Sequence, residues 1–478
     1  MKYRYFIIIS LLSIYITSCD LLGKIDDIKP EHVLTDETLI TDAKSAETLL
    51  NGVYETWREF IIGMGRHALD VLAGTEINRI DVIGIRDFSN ADIKDDNEMV
   101  ERTYTALYKV VNMANSFISN MEPASPQGLS ATRKNEMLAE AKFHRAFAHF
   151  QILRRYGMFF DLDSKEGIVV FLETKRDNAP KGRSSVVEVY KAINDDLDFA
   201  IQYAPEMVEG HYYISRTVAK ALKARVLLYM GDYKNAAIIA NQVISEAPAY
   251  GYELEEEYLD IFRQGFASKE ILFAPYTSYP NESCTMDLRS AQPGNPLKKI
   301  ADKLVLGNGN DKTGEGYDYR FAEIYASDYI AAEQGANPTS QFTNKYIQPG
   351  SGLGTPTNTH FFMRLAEVYL ILAEAEARDN HSDLARKALK TITDRAGYDE
   401  DYVNTISDGD LKEYIRMHKS MELSAEDNEE WYDLVRYHVL DNLVLAPDYM
   451  KDDKCLIYPI PRAAMAGNTL LEQNSIYK

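Results

Sequence analysis

The stretch that most constrains this chain runs from Thr217 to Ile244, TVAKALKARVLLYMGDYKNAAIIANQVI. It reads as a helix, a tight turn at Gly231-Asp232-Tyr233, and a second helix folded back on the first. Ala221, Ala224 and Leu228 recur at i, i+3 and i+7 on one face of the first helix. Ala236, Ala240 and Val243 recur at i, i+4 and i+7 on one face of the second. Small residues on both faces let two backbones approach closely, so an antiparallel helix hairpin is predicted. Such a hairpin buries only its inner face, and other helix pairs must stack on the outer one.

The turn Gly231-Asp-Tyr-x-x-Ala236, with Ala224 twelve residues before Ala236, matches the turn and packing positions of a tetratricopeptide repeat. Ala373 and Ala385 repeat the spacing of twelve, with Asn380-His381-Ser382 as a degenerate turn. Further helices are predicted over Asp42 to Glu59, capped by Asp42, with Ala46, Leu49, Leu50, Val53 and Trp57 on the core face. Glu98 to Met121 carries Tyr104, Tyr108, Val111, Ala114 and Ile118 on one face. Ser130 to Tyr156 carries a stripe of Ala141, Phe143, Ala146, Phe147, Phe150 and Leu153 and ends at Gly157. Ser185-Val-Val-Glu188 is a capping box opening a helix to about Tyr203. Leu411 to Ser424 is one more helix and Trp431 to Arg436 a short one. Between them, Arg66 to Ile93 lacks a period, and Phe266 to His360 is rich in glycine, asparagine, serine, proline and tyrosine. A loop-rich stretch that long inside a globular chain is usually functional.

The N-terminus carries Lys2 and Arg4, then an apolar core from Phe6 to Ile16 that is too short for a stable span. Ile16-Thr17-Ser18-Cys19 resembles a bacterial lipobox, so residues 1–18 are expected to be a lipoprotein signal peptide and Cys19 the acylated first residue of the mature chain. Several acyl chains make a stable anchor, and the mature protein would be tethered by residues 19–40 ahead of one domain over 41–478. Cys284 and Cys455 remain, and their spacing leaves a disulfide open. A net charge of −21 with no basic run beyond the N-terminus argues against nucleic acid as a partner. Tyrosine is abundant, 32 against two tryptophans, and offers a stacking face with a hydroxyl.

Taken in order, several segments resemble the SusD/RagB family of outer-membrane nutrient-binding lipoproteins. They are the lipobox at Cys19; Tyr108-Lys-Val-Val-Asn-Met-Ala-Asn115; Ala139-Glu-Ala-Lys-Phe-His-Arg-Ala-Phe147 with Arg155-Tyr-Gly157; and the Gly231-Asp-Tyr hairpin. Lys345-Tyr346, Arg364-Leu-Ala-Glu-Val-Tyr-Leu-Ile-Leu-Ala-Glu-Ala-Glu376, Met421-Glu-Leu with Glu426, and Trp431-Tyr-Asp-Leu-Val-Arg436 follow. Ile460-Pro461, Asn468 and Gln473-Asn474-Ser-Ile-Tyr477 close the chain. The chain departs at His418-Lys419, where the family usually has Glu-Arg, and at Asp427, where it usually has glycine. The resemblance implies an all-α fold of four tetratricopeptide-like helix pairs with a loop-rich insertion near 266–362. It also implies a lipid-anchored outer-membrane protein that works without a cofactor and without catalysis. Such a protein passes oligosaccharide, or in some members peptide, to a SusC-like TonB-dependent transporter.

Other chemistries fit less well. His144 and His149 are five apart, about 140° around a helix, and Arg145 stands where a zinc protease needs glutamate. Asp311-Lys312-Thr313 lacks the glycine a phosphate loop needs before its lysine. Asn310, Asp311, Glu315 and Asp318 offer oxygens to calcium, but their spacing fits no standard loop, and no metal is assigned. Glu422, Glu426, Asp433 and Arg436 are read as a structural ion-pair network and not an acid/base pair, as are Glu140 and Arg145. The expected ligand residues are those in the irregular stretches: Arg66, Asp70, Asn78 and Arg79, then Tyr276, Tyr279, Tyr317, Tyr319 and Arg320. A sugar presents an apolar C–H face ringed by hydroxyls, which tyrosine, Asn, Asp and Arg can meet. A lipoprotein hydrolase and a ligand-free assembly scaffold are the rival classes.

Overall fold

The computed structural model describes residues 39–58, 69, 76–78, 84–174, 179–276, 291–293, 299–300, 303–304, 318, 320–321, 360–424, 426–445 and 453–478. Among the described residues eleven helices carry the frame: α1 (Ala43–Glu55), α2 (Glu98–Met121), α3 (Ala131–Tyr156), α4 (Val186–Tyr203), α5 (Arg216–Tyr229) and α6 (Tyr233–Glu246) come before the stretch 266–362. After it come α7 (Leu365–Arg378), α8 (Ser382–Arg395), α9 (Leu411–Glu422), α10 (Glu429–Asp441) and the short α11 (Arg462–Gly467). Two small antiparallel ladders accompany them: β1 (Glu76–Asn78) with β3 (Ala291–Pro293), and β2 (Ile271–Phe273) with β4 (Met363–Arg364). The fold is all-α.

Local chemistry sets the helix ends. Asp42 accepts from the Ser45 amide at 2.7 Å and Ser130 from the Arg133 amide at 3.1 Å, and Ser185 with Glu188 forms the reciprocal capping box. Gly231 lies in the left-handed region (φ +76) and lets α6 turn back on α5. At the degenerate turn Asn380 takes the same role (φ +65), so α7 and α8 form an equivalent hairpin without glycine. Ala224, Ala236, Ala373 and Ala385 are all fully buried, as the spacing of twelve requires. The pairs stack in chain order: α1 with α2, α3 with α4, α5 with α6, α7 with α8, and α6 meets α7, more than a hundred residues on in sequence.

One expectation is extended and one is corrected. The α3 stripe is a minimum: from Met137 to Tyr156 every side chain but Lys142 is buried, charged ones included. Neighbours cover α3 on all sides, so periodicity marks only part of its contact surface. Trp431 to Arg436 is the middle of α10, a 13-residue helix whose first turn, Glu429-Glu430, is polar in sequence yet buried.

Those buried charges form the second component of the core. Arg225 on α5 grips Glu367 on α7 through both forks (2.5 and 2.6 Å) and reaches Asp427 at 2.9 Å. Arg154 on α3 bonds Asp427 (3.0 Å) and Glu429. Arg364, at the entry to α7, holds Glu426 (2.6 and 3.0 Å), Glu422 (3.1 Å) and Glu270. Arg436 on α10 takes Glu374 bidentately (2.7 and 2.8 Å) and Asp433 at 2.6 Å, and Lys419 reaches Asp433 at 3.0 Å. Glu422, Glu426, Asp433 and Arg436 are thus structural, as read, although the first pair and the second pair use different partners. Glu140 and Arg145 do not pair with each other: Glu140 binds Arg133 (2.6 Å) and Tyr54, and Arg145 binds Asp196 (2.7 and 2.8 Å). They sit five residues apart and so face different neighbours.

Asp427 explains one departure from the family pattern. Its φ of +48 is the conformation a glycine would supply without strain, and the carboxylate it adds accepts from Gln151, Arg154 and Arg225. Replacing it with glycine relieves about 1 kcal/mol of backbone strain but strips an anion from two buried arginines, so Asp427→Gly is expected to cost about 2–3 kcal/mol net in urea denaturation. The network also predicts acid sensitivity. Burial alone would raise Glu374, Glu422 and Glu429, but the arginines around them outweigh it and hold all three well below the usual value of 4.5. Groups depressed in the folded state stabilise it fully above their unfolded pKa and cease to as pH falls. Melting temperature should therefore drop steadily below pH ~4.5. His144, His149 and His418, buried neutral and held down to about 3, add a shallower decline that begins as pH falls through ~6.5. A profile flat to pH 3 would contradict the ionised network.

Candidate functional site

The turn between α4 and α5 carries Gly210-His211-Tyr212-Tyr213. The Tyr213 amide closes a turn on the Gly210 carbonyl (3.0 Å), and Tyr212 folds over Gly210, where a Cβ would come within 2.6 Å of its ring. The Ala274 amide donates to the His211 carbonyl at 2.9 Å, which ties this turn to the end of β2. Two residues on, Tyr276 arrives beside Tyr212 with ring centroids 5.1 Å apart. Phe266 completes the group, stacked on Tyr276 (6.0 Å, 17°) and edge-on to Tyr212 at 5.5 Å. Tyr213 packs on Tyr212 at 4.7 Å and on Tyr54 at 5.6 Å.

This is an aromatic platform, with Tyr276 52% exposed at its edge and Tyr212, Tyr213 and Phe266 half-buried behind it. Its base is rigid: the Tyr54 hydroxyl donates to Glu140 at 2.5 Å and accepts from the Ile214 amide at 3.2 Å. Burial, then Tyr212 and the carboxylates of Glu140, Glu47 and Glu209, pushes the Tyr213 phenol up, so it stays protonated and can donate. Among the described residues the platform offers aromatic faces and hydroxyls.

Of the described residues expected to bind ligand, Tyr276 is the one placed on this surface. Arg320 is not, and that expectation is corrected: it is 1% exposed, gripping Asp318 at 2.8 and 3.0 Å and Glu422 at 3.2 Å. Asp318 is correspondingly spent on Arg320 and the Tyr398 hydroxyl (2.5 Å), which removes it from any calcium set. Loop composition marks a residue as polar but not whether it turns inward to an ion pair. Asn78 falls on β1, opposite Ala291. Arg66, Asp70, Arg79, Tyr279, Tyr317 and Tyr319 lie outside the described residues, as do Cys19, Cys284, Asn310, Asp311 and Glu315. Cys455 is buried, its thiol donating to the Ala91 carbonyl at 2.8 Å. Tyr212, Tyr213 and Phe266 were missed from sequence; the Gly-His-Tyr-Tyr run in a turn between two helices was the available signal.

Among the described residues no catalytic constellation accompanies the platform. His144 accepts from the Trp57 indole (2.9 Å), and burial pushes both His144 and His149 down to about 3, so neither titrates near neutrality. Among the described residues no group of three His, Cys, Asp or Glu is arranged to hold a metal. No described helix is long and apolar enough to cross a membrane.

The family model of the SusD family matches residues 272–477, and a second, described as starch-binding associating with outer membrane, matches residues 37–228. The chain is a SusD-like family protein. A SusD-like protein P2 of Formosa agariphila is 24% identical, with 99% of each chain covered. Among solved structures, a SusD superfamily protein from Bacteroides thetaiotaomicron superposes with a TM-score of 0.76 at 22% identity, covering 91% of this chain and 100% of that one. A laminarin-binding SusD-like protein superposes with a TM-score of 0.69 at 20% identity, covering 91% and 99%. At such identities the superpositions speak for the SusD-like fold.

Proposed function

We propose that this chain is a non-catalytic, lipid-anchored outer-membrane protein that holds an oligosaccharide on the Tyr212–Tyr276 platform and passes it to a SusC-like TonB-dependent transporter. The exposed ring of Tyr276 stacked on Phe266 carries the reading, because a sugar's C–H face needs a flat aromatic surface that solvent can reach. Both tryptophans are buried in the core, so stacking falls to tyrosine and phenylalanine. The family's description as starch-binding and a structural neighbour named for laminarin support a glucan as ligand. The acyl group on Cys19 supplies the anchor, and the loop-rich stretch near 266–362 supplies further contacts.

The chain lacking residues 1–19 should bind α-1,4- or β-1,3-linked gluco-oligosaccharides saturably in calorimetric titration, and Tyr276→Ala should weaken that binding about 3–10-fold, the equivalent of about 0.5–1.5 kcal/mol for one aromatic contact. Saturable binding to peptides alone would sink the glycan reading, and shortened sugar after long incubation would make the protein a hydrolase. For the anchor, Cys19→Ala should move the protein from the membrane fraction to the soluble one; a variant still in washed membranes would refute acylation at that residue.

A further inference from the structure

A cleft of about 350 Å³ lies between the middle of α2, the extended segment 167–173 and α11, and it shares no lining residue with the aromatic platform. Tyr104 and Tyr108, one helical turn apart on α2, form one wall with centroids 4.6 Å apart. They are braced edge-on, Tyr104 by Tyr156 (5.0 Å) and Tyr108 by Phe171 (5.8 Å).

The opposite wall is held by side chains in place of a sheet. The carbonyls of Val169, Val170, Phe171 and Leu172 accept from the Tyr108 hydroxyl (2.9 Å), Lys181 Nζ (2.6 Å), Asn115 Nδ2 (3.0 Å) and Arg145 Nη1 (2.8 Å). The third side is α11, tied down where the Asn468 amide bonds the Lys181 backbone at both of its atoms (2.7 and 3.1 Å). α11 presents Ala463, Ala464 and Gly467 to the cleft, and a Cβ on Gly467 would meet nothing within 4 Å. The space is therefore preformed, and small side chains keep it open. Its volume falls in the range of about 300–1,000 Å³ typical of small-molecule sites.

The polar groups at this cleft narrow the ligand class. Asn112 and Glu173 line it, are exposed, and have no side-chain partner among the described residues. A carboxylate accepts from two neighbouring hydroxyls, an amide both donates and accepts, and a tyrosine face takes ring C–H groups. An anionic ligand would face Glu173, and a wholly apolar one would leave Glu173 and Asn112 desolvated without partners. We propose that this cleft is a second saccharide site, separate from the platform, that takes a neutral hexopyranose ring between Tyr104, Tyr108, Asn112 and Glu173.

The test titrates the chain lacking residues 1–19 with maltotriose and laminaritriose. In Tyr276→Ala protein, which lacks the platform's exposed ring, saturable binding of one of them should persist. Adding Gly467→Trp, which fills the cleft from a position with room for the side chain, should then weaken it at least tenfold. Glu173→Gln, a substitution on the surface, should weaken it several-fold with an unchanged melting temperature. Binding abolished by Tyr276→Ala alone, or weakened by it and then unmoved by both Gly467→Trp and Glu173→Gln, overturns the cleft and leaves the platform standing. Binding unmoved by Tyr276→Ala but lost with Gly467→Trp upholds the cleft and removes the platform. No binding of either sugar by the unsubstituted chain overturns both.

Discussion

The segment from Glu422 to Asp433 is where the fold is locked. Its carboxylates meet arginines that arrive from α3, α5 and the entry to α7, and α10 adds one of its own. A helix-pair stack has no backbone hydrogen bonds between its layers, so apolar packing alone would tolerate sliding of one pair along the next. An arginine fork on a carboxylate tolerates little of that, because two parallel hydrogen bonds fix both distance and angle. Such pairs contribute modestly to net stability once desolvation is counted, but an unmatched partner is costly. The network thus sets register more than strength, and it does so between elements as distant in sequence as Arg154 and Glu429.

That rigidity is what lets the turns carry a surface. The platform's rings come from a turn between α4 and α5, a 3₁₀ turn at Gly265–Ala267 and the end of β2, none of which could hold a ring by itself. They converge because Tyr54 on α1 ties the α4–α5 turn to Glu140 on α3, and β4 ties β2 to the start of α7. The second cleft follows the same plan, with an extended segment pinned by side chains against α2. Aromatic rings set on braced turns need little reorganisation to meet a ligand, and that lowers the entropic cost of capture.

Much of the frame is written locally. Asp42, Ser130 and Ser185 cap helices because a short side-chain oxygen satisfies an amide left over at a helix start, whatever the surroundings. Ala224 and Ala236 set the hairpin because only small residues allow that backbone approach. The charged residues were legible only as a cluster. Arg320 resembled a ligand contact and turned out to be a buried partner of Asp318 and Glu422, since polarity in a loop says nothing of which way a side chain faces.

The sequence by itself determined the helix pairs and their turns, since capping, periodicity and spacing act over a few residues, and the order of its motifs carried the resemblance to the SusD/RagB family. Tertiary structure alone decided which charges lie inside, why Asp427 can stand in a left-handed position, and that Tyr212, Phe266 and Tyr276 share one surface. Those outcomes depend on contacts between segments tens to hundreds of residues apart, and no local pattern encodes the distance between two side chains that meet only once the pairs have stacked.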